Sequence, residues 1–211
     1  MPDKVRMRTG SIILTGGRSK RMGRPKESLR LAGETLLGRT VETLLACTAP
    51  VVIVARAGQE LPVLPAAARI IRDEVPDAGP LAALVAGLRF LRREDLLGEQ
   101  DAVFATGCDA PFLPAAVVAW LAARLGDAPL VMPLALGYLQ PLCAVYRLAV
   151  LPAAEALLEK GIRTPRALAA AVPTSRVLGE AELAQFDPSL RFLHNVNTPE
   201  DYQRALDELR Q

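Results

Sequence analysis

The sequence predicts a single α/β domain in three layers (αβα), with helices on both faces of a mainly parallel sheet, and three observations carry that expectation. Short apolar runs such as Ile12-Ile13-Leu14, Val51-Val52-Ile53-Val54 and Ala102-Val103-Phe104-Ala105 read as strands buried on both faces. Stretches with helical spacing of apolar residues fall between them, which implies right-handed crossovers between parallel strands. Hydrophobic residues make up 51% of the chain and aromatic ones only 4%, so the core must be aliphatic, as suits helices lying on such a sheet. At 211 residues the chain is long enough for one sizeable core and short for two, so one domain over 1–211 is expected.

The first strand, at 12–14, runs straight into a glycine-containing stretch that ends at Lys26. Arg18, Lys20, Arg21, Arg24 and Lys26 place five cations there with no acid among them, while Gly16, Gly17 and Gly23 allow close backbone approach. A run of like charges is usually a solvated turn. Its place directly after a buried strand, at the edge where open parallel sheets bind ligands, points instead to phosphate oxygens. The stretch lacks the Gly-Lys-Ser/Thr ending of a P-loop and the Gly-x-Gly-x-x-Gly of a dinucleotide turn, so it is a different cradle, and a polyphosphate is its expected guest.

A short extended piece at 29–31 and a turn follow, and Thr35 then caps a helix to about residue 46 through Leu36, Leu37, Val41, Leu44 and Leu45. Strands are expected at 51–54 and 69–72, the latter ending at Asp73. Pro80 suits the first turn of a helix to about residue 91. A fourth strand at 101–106 delivers Gly107-Cys108-Asp109-Ala110-Pro111, and a helix covers 115–125. Strands at 129–133 and 140–146 precede a mostly helical last third, with helices at 149–160, 166–172, 180–185 and 198–209. Thr198 caps the last of these and Pro199 takes its first position.

Asp109 stands at the carboxyl end of an apolar strand, on the same sheet edge as the glycine stretch and too far ahead of the next helix to cap it. Mg²⁺ takes oxygen ligands, often one or two carboxylates plus substrate phosphates, so Asp109 is the candidate ligand. Asp73 occupies a similar edge and reads either as a bond to a ribose or base or as an ordinary turn residue. Asn195 and Asn197 read as turn formers, and His194, the one histidine, as structural beside Phe192-Leu193. Cys47, Cys108 and Cys143 show no paired CxxC spacing, so reduced thiols and a cytoplasmic location are expected. A net charge of +2 does not suit a general nucleic-acid binder, and the absence of an apolar run of spanning length or a signal-like start predicts no membrane attachment.

Taken together these residues carry a resemblance. Leu14-Thr15-Gly16-Gly17-Arg18-Ser19-Lys20-Arg21-Met22-Gly23-Arg24-Pro25-Lys26 is similar to the signature loop of the molybdenum cofactor guanylyltransferase (MobA) family, within the wider sugar-nucleotide-type nucleotidyltransferases. Asp73 with Gly79-Pro80-Leu81, the run from Cys108 to Pro114, and Asn195-Val196-Asn197-Thr198-Pro199-Glu200-Asp201 follow in the family's order, so the resemblance spans nearly the whole chain. It implies a Rossmann-like sheet of the nucleotidyltransferase type and a Mg²⁺-dependent transfer of GMP from GTP onto the terminal phosphate of molybdopterin carrying molybdenum, with release of pyrophosphate. It also implies transient contact with proteins that insert molybdenum or receive the finished cofactor.

Carried over by position, Leu14, Thr15, Gly16 and Gly17 contact the nucleotide, Lys26 its phosphates and Asp73 the nucleoside. Arg21, Lys26 and Asp109 are the catalytic set, and Asp109 holds Mg²⁺ with Asn197 as a second metal contact. The acceptor phosphate is already an anion, so in-line positioning and charge neutralisation are needed more than a general base. Gly137, Tyr138, Gln140 and Pro141 resemble the acceptor-side loop, and Arg163-Thr164-Pro165-Arg166 is a candidate for the pterin phosphate. Three positions depart from the family pattern. Thr15 stands where alanine is usual, Gly107 where proline is common, and Val54 where an asparagine helps to hold guanine. Val54 leaves base choice open, so a CTP-dependent cytidylyl transfer to the same cofactor is the alternative. A sugar-1-phosphate nucleotidyltransferase and an inactive nucleotide-binding module stand beyond it.

Overall fold

The computed structural model describes residues 7–15, 22–73 and 78–210. In chain order the elements are β1 (Thr9–Leu14), β2 (Arg30–Leu31), β3 (Glu34–Thr35), α1 (Leu36–Leu45), β4 (Val51–Arg56), β5 (Ala68–Asp73), α2 (Pro80–Arg93), β6 (Ala102–Gly107) and α3 (Ala115–Ala123). They continue with β7 (Leu130–Ala135), β8 (Tyr138–Leu139), β9 (Cys143–Arg147), α4 (Leu151–Glu159), α5 (Leu168–Ala171), β10 (Arg176–Leu178), α6 (Glu180–Ala184) and α7 (Pro199–Glu208). Short 3₁₀ turns cover Lys26–Ser28, Leu148–Val150, Pro165–Ala167 and Arg191–Leu193.

The main sheet has the order β10-β7-β9-β6-β1-β4-β5, with β8 paired to β7. From β6 through β1 and β4 to β5 every pairing is parallel, so these strands all end at one edge. Their side chains sort by alternation into two layers. Ile13, Val51, Ile53 and Phe104 face a core closed by Leu37, Val41 and Leu44 of α1 and Val117, Val118 and Leu121 of α3. Ile12, Leu14, Val52, Val54 and Val103 face the opposite core, closed by Leu81, Leu84 and Leu88 of α2 and Leu151 and Ala154 of α4. Each such side chain removed from water contributes about 1.5–3 kcal/mol, and apolar residues on both faces are what force the strands into the middle of the three layers.

The expected caps are present. Thr35 Oγ1 accepts from the Gly38 amide at 3.0 Å to open α1, and Thr198 and Asp201 form a reciprocal capping box at the start of α7. Four details differ from the sequence reading. The strand expected at 140–146 begins only at Cys143, as β9, and a separate strand, β8, a hairpin partner of β7, precedes it at Tyr138–Leu139. Pro141 lacks an amide hydrogen, and the intervening turn closes when the Cys143 amide donates to the Gln140 carbonyl at 3.1 Å. The link from β7 to β9 is too short for a crossover helix, so β9 lies antiparallel between β6 and β7. The helix expected at 166–172 is a 3₁₀ turn followed by the one-turn α5, and the last third holds a strand, β10, parallel to β7. Three residues, two of them exposed, carry no readable period, and only the neighbouring β7 makes β10 a strand.

Candidate active site

The parallel strands bring four chain segments side by side at their carboxyl edge: Asp109 beyond β6, Thr15 beyond β1, the 56–59 turn beyond β4, and Asp73 at the end of β5. At an inter-strand spacing of about 4.8 Å, Asp109 and Asp73 stand roughly 14 Å apart along this row. One carboxylate therefore lies at each end of a shelf long enough for an extended ligand.

At the Asp109 end three distant parts of the chain meet. Lys26 Nζ donates to Asp109 Oδ2 at 3.1 Å and to Asn197 Oδ1 at 2.6 Å. The Lys26 and Asp109 side chains are only 16% and 24% exposed, so the pair is partly shielded but reachable. Pro25 leads into the 3₁₀ turn that carries Lys26. Gly107 leaves Asp109 its room: a Cβ at that glycine would lie 2.5 Å from Asp109 Oδ1. Asn197 is held by the α7 cap, because the amides of Asn197 and Thr198 both donate to Asp201 Oδ2 at 2.9 Å. Burial pushes the Asp201 carboxyl up, but those two amides, the Thr198 hydroxyl and Arg204 outweigh it and hold the group below the ordinary aspartate value. The Val196 amide donates to the Asp109 carbonyl at 2.8 Å, which ties the Asn197 segment to the Asp109 loop.

The donor set is suited to a hard divalent cation. A carboxylate and an amide oxygen converge on one positive charge, the Lys26 ammonium, and Mg²⁺ is usually bound by such oxygens with waters and phosphates completing its shell. Among the described residues no cluster of three His, Cys, Asp or Glu side chains forms a fuller cage. Cys108, next to Asp109, is buried; desolvation first, then the Asp109 and Glu27 charges, push its thiol far above the ordinary cysteine value, so it is no nucleophile.

Leu14 and Thr15 offer a ligand mainly backbone. Leu14 packs in the core, and the Thr15 hydroxyl lies 3.2 Å from both the Val54 carbonyl and Gln59 Oε1. Gly16, Gly17 and Arg21, expected in the nucleotide and catalytic sets, lie outside the described residues. Asp73 pairs in register with Arg56, and its carbonyl accepts from the Ala57 amide at 3.2 Å. Val54 is buried against α2 and presents no polar atom from its side chain. Gly79, at φ +87°, has no Cβ where one would meet Arg163 Cβ at 2.9 Å, so Arg163 packs on the start of α2, where its guanidinium donates to the Ala78 carbonyl at 3.3 Å.

A cleft of about 680 Å³ adjoins the Lys26 cluster and is lined by Phe112, Tyr138, Gln140, His194, Asn195 and Arg204 among others. Asn197 lines it too, so it borders the cleft and the Lys26–Asp109 pair at once. Two residues of the site escaped the sequence reading. Glu27 is buried beside Lys26, and Gln59 is buried beyond β4 and bonds to it. Nothing local marks either one, since both are polar residues in polar turns.

A family model described as the MobA-like NTP transferase domain matches residues 11–175. The chain is similar to a probable molybdenum cofactor guanylyltransferase of Chloroflexus aggregans, 36% identical with 93% of each chain covered. It is also similar to a molybdenum cofactor guanylyltransferase of Sinorhizobium fredii, 31% identical with 94% of this chain and 90% of that one covered. Among solved structures, the molybdopterin-guanine dinucleotide biosynthesis protein A of Archaeoglobus fulgidus superposes with a TM-score of 0.75 at 23% identity, over 95% of this chain and 98% of that one. That structural likeness concerns the fold.

Proposed function

The chain belongs to the MobA-like NTP transferase family and is a nucleotidyltransferase, and from that premise we propose that it transfers GMP from GTP to the terminal phosphate of molybdenum-bearing molybdopterin. The observation that carries this reading is the meeting of Lys26, Asp109 and Asn197 beside a cleft that Asn197 also lines. A cation for phosphate and two oxygens for a metal stand where one ligand on the shelf and another in the cleft come together.

The reaction joins an oxygen of the acceptor phosphate to the α-phosphorus of GTP as the bond from that phosphorus to the bridging oxygen breaks, and pyrophosphate leaves with the electron pair. Both reactants are anions, so the chain's task is to bring them together and offset their charge. Asp109 and Asn197 are the residues to hold Mg²⁺, which when bound neutralises charge on the phosphates. Lys26 turns its ammonium toward the triphosphate, and its straight stem lets it do so without moving the 3₁₀ turn. Asp73, at the far end of the shelf, serves the nucleoside. The walls of the cleft, Phe112 and Tyr138 with Gln140, His194 and Arg204, offer flat surface and hydrogen-bonding groups to a pterin and its phosphate. No general base is required, and His194 has none of that work to do.

The test is pyrophosphate release by the full chain with Mg²⁺ and molybdopterin acceptor, run in turn with GTP, CTP, ATP and UTP. A clear GTP preference is expected. A CTP preference overturns the guanylyl assignment and moves the protein to cytidylyl transfer, the alternative that Val54 leaves open.

A further inference from the structure

Gln59 lies beyond β4, at the end of a turn in which its own amide donates to the Arg56 carbonyl at 3.1 Å and Gly58 takes a φ of +70°. The side chain reaches back under the sheet edge and is only 8% exposed. Every hydrogen-bonding position of its amide is engaged. Nε2 donates to the Thr15 carbonyl at 3.2 Å and to Glu27 Oε1 at 2.5 Å, and Oε1 accepts from the Arg56 amide at 3.0 Å and the Thr15 hydroxyl at 3.2 Å. Arg72 Nη1 fixes the turn from the next strand, donating to the Gln59 carbonyl at 2.7 Å.

Glu27 makes this arrangement informative. It is 3% exposed, and a buried carboxylate is unfavourable by several kcal/mol unless it is well bonded. A leucine or methionine in that turn would pack without such a demand. What the carboxylate provides is a fixed anchor next to Lys26, and among the described residues Gln59 grips it. Thr15 and Lys26 bracket the glycine-rich stretch, so one amide ties the point where the chain enters the stretch to the turn where it leaves. β1 and β4 are already paired up to Leu14 and Val54, with the Thr15 amide donating to the Val54 carbonyl at 3.1 Å. Gln59 adds the third segment, the one that bears the ammonium.

We infer that Gln59 is a positioning residue for nucleotidyl transfer: through Thr15 and Glu27 it sets where the Thr15 backbone and Lys26 present themselves to the triphosphate. The inference rests on the reading of Lys26 as a triphosphate ligand. Glutamine suits the role because one group must donate to a carbonyl and a carboxylate and also accept from an amide and a hydroxyl. Asparagine, one methylene shorter, cannot span Thr15 and Glu27 together.

The test compares the full-length parent with Gln59→Leu, Gln59→Asn, Glu27→Gln, Lys26→Met and a stability control, Leu157→Ala, which opens a cavity in the core under α4. Steady-state kinetics are measured with GTP, Mg²⁺ and molybdopterin, alongside thermal melting. Gln59→Leu, or Gln59→Asn if the first does not fold, is expected to raise KM for GTP about tenfold, comparable to losing one charge-assisted hydrogen bond, with KM for the acceptor within about twofold. Glu27→Gln keeps an oxygen that accepts from Gln59 but removes the charge, and is expected to raise KM for GTP about threefold, less than Gln59→Leu does. Leu157→Ala lowers the melting temperature with no change in KM for GTP. If both Gln59 variants leave KM for GTP where Leu157→Ala leaves it while Lys26→Met raises it, the clamp is overturned and the phosphate site stands. If Lys26→Met also leaves it unchanged, the reading of Lys26 as a triphosphate ligand falls and the clamp with it.

Discussion

Replacing Lys26 by methionine removes a charge and keeps a straight side chain of similar length, so it separates the ammonium's two roles. In the free protein Nζ bonds to Asp109 Oδ2 at 3.1 Å and Asn197 Oδ1 at 2.6 Å. Breaking a fully buried ion pair costs about 3–5 kcal/mol and a fully exposed one about 0–1. With side chains 16% and 24% exposed, Asp109 can rehydrate once Lys26 is gone, which places the loss at about 1–2 kcal/mol. In a domain of this size each kcal/mol lowers the melting temperature by about 2–4 °C, so a fall of roughly 2–8 °C is expected. The effect on nucleotide is larger. A charge-assisted bond to a phosphate oxygen contributes about 1.5–3 kcal/mol, which corresponds to an affinity for GTP with Mg²⁺ weakened by roughly 10- to 150-fold. Calorimetric titration of GTP with Mg²⁺ into parent and variant, beside thermal scans of both without ligand, measures the two quantities separately. A variant that melts several degrees lower yet binds GTP within twofold of the parent would show that Lys26 is a structural tie only, and the phosphate role would be wrong.

Asp109→Asn keeps the shape of the side chain and removes its charge; turnover is expected to fall about 100-fold or more, the size of effect seen when one preorganised electrostatic contact is lost. Pyrophosphate release read against Mg²⁺ concentration checks it, and turnover equal to the parent's would remove Asp109 from the metal site. Asp101, away from the site, should shape the acid limb of stability. Burial pushes its carboxyl up, but the amides of Gly98 and Arg8 and the Arg8 guanidinium outweigh this and hold it below the ordinary value. Its contribution is therefore complete above the unfolded aspartate value, near pH 4, and is lost as the pH falls through the lower folded value. The Arg8 side chain is 58% exposed, which limits the difference between parent and Asp101→Asn to about 1–2 kcal/mol near neutrality. Urea unfolding at several pH values should show that difference narrowing below about pH 4, and a constant difference would contradict the assignment.

The features legible in the sequence are those whose cause is local. Three apolar runs announce β1, β4 and β6, and the threonines ahead of α1 and α7 announce their caps, because period and capping chemistry act within a few residues. Asp109 was legible because a carboxylate after a buried strand has few ordinary uses. Asn197 was reached only through the resemblance; its residue type alone said turn. The rest is decided by neighbours far away in the chain. β8 and β10 are strands because β7 lies beside them, and β9 runs antiparallel because its connection is short. Gln59 follows Ala57-Gly58 in a stretch that reads as a solvated turn, and only the approach of Thr15 and Glu27 buries it. Base choice is hidden for a related reason. Val54 says which group is missing, and no local pattern says what compensates.

The separation of the site's parts along the chain sets an order of events during synthesis. Lys26 and Asp109 lie 83 residues apart, whereas Lys26 and Asn197 lie 171 apart. Growing on the ribosome, the chain holds the strands from β1 to β6 long before the cap of α7 emerges, so a half-made protein has the shelf and the cation without Asn197 to complete them. Long-range contacts are also the slow ones to form. Activity should therefore appear as a late, all-or-none property of the finished chain, and a release short of Asn197 should leave a folded sheet with a silent site.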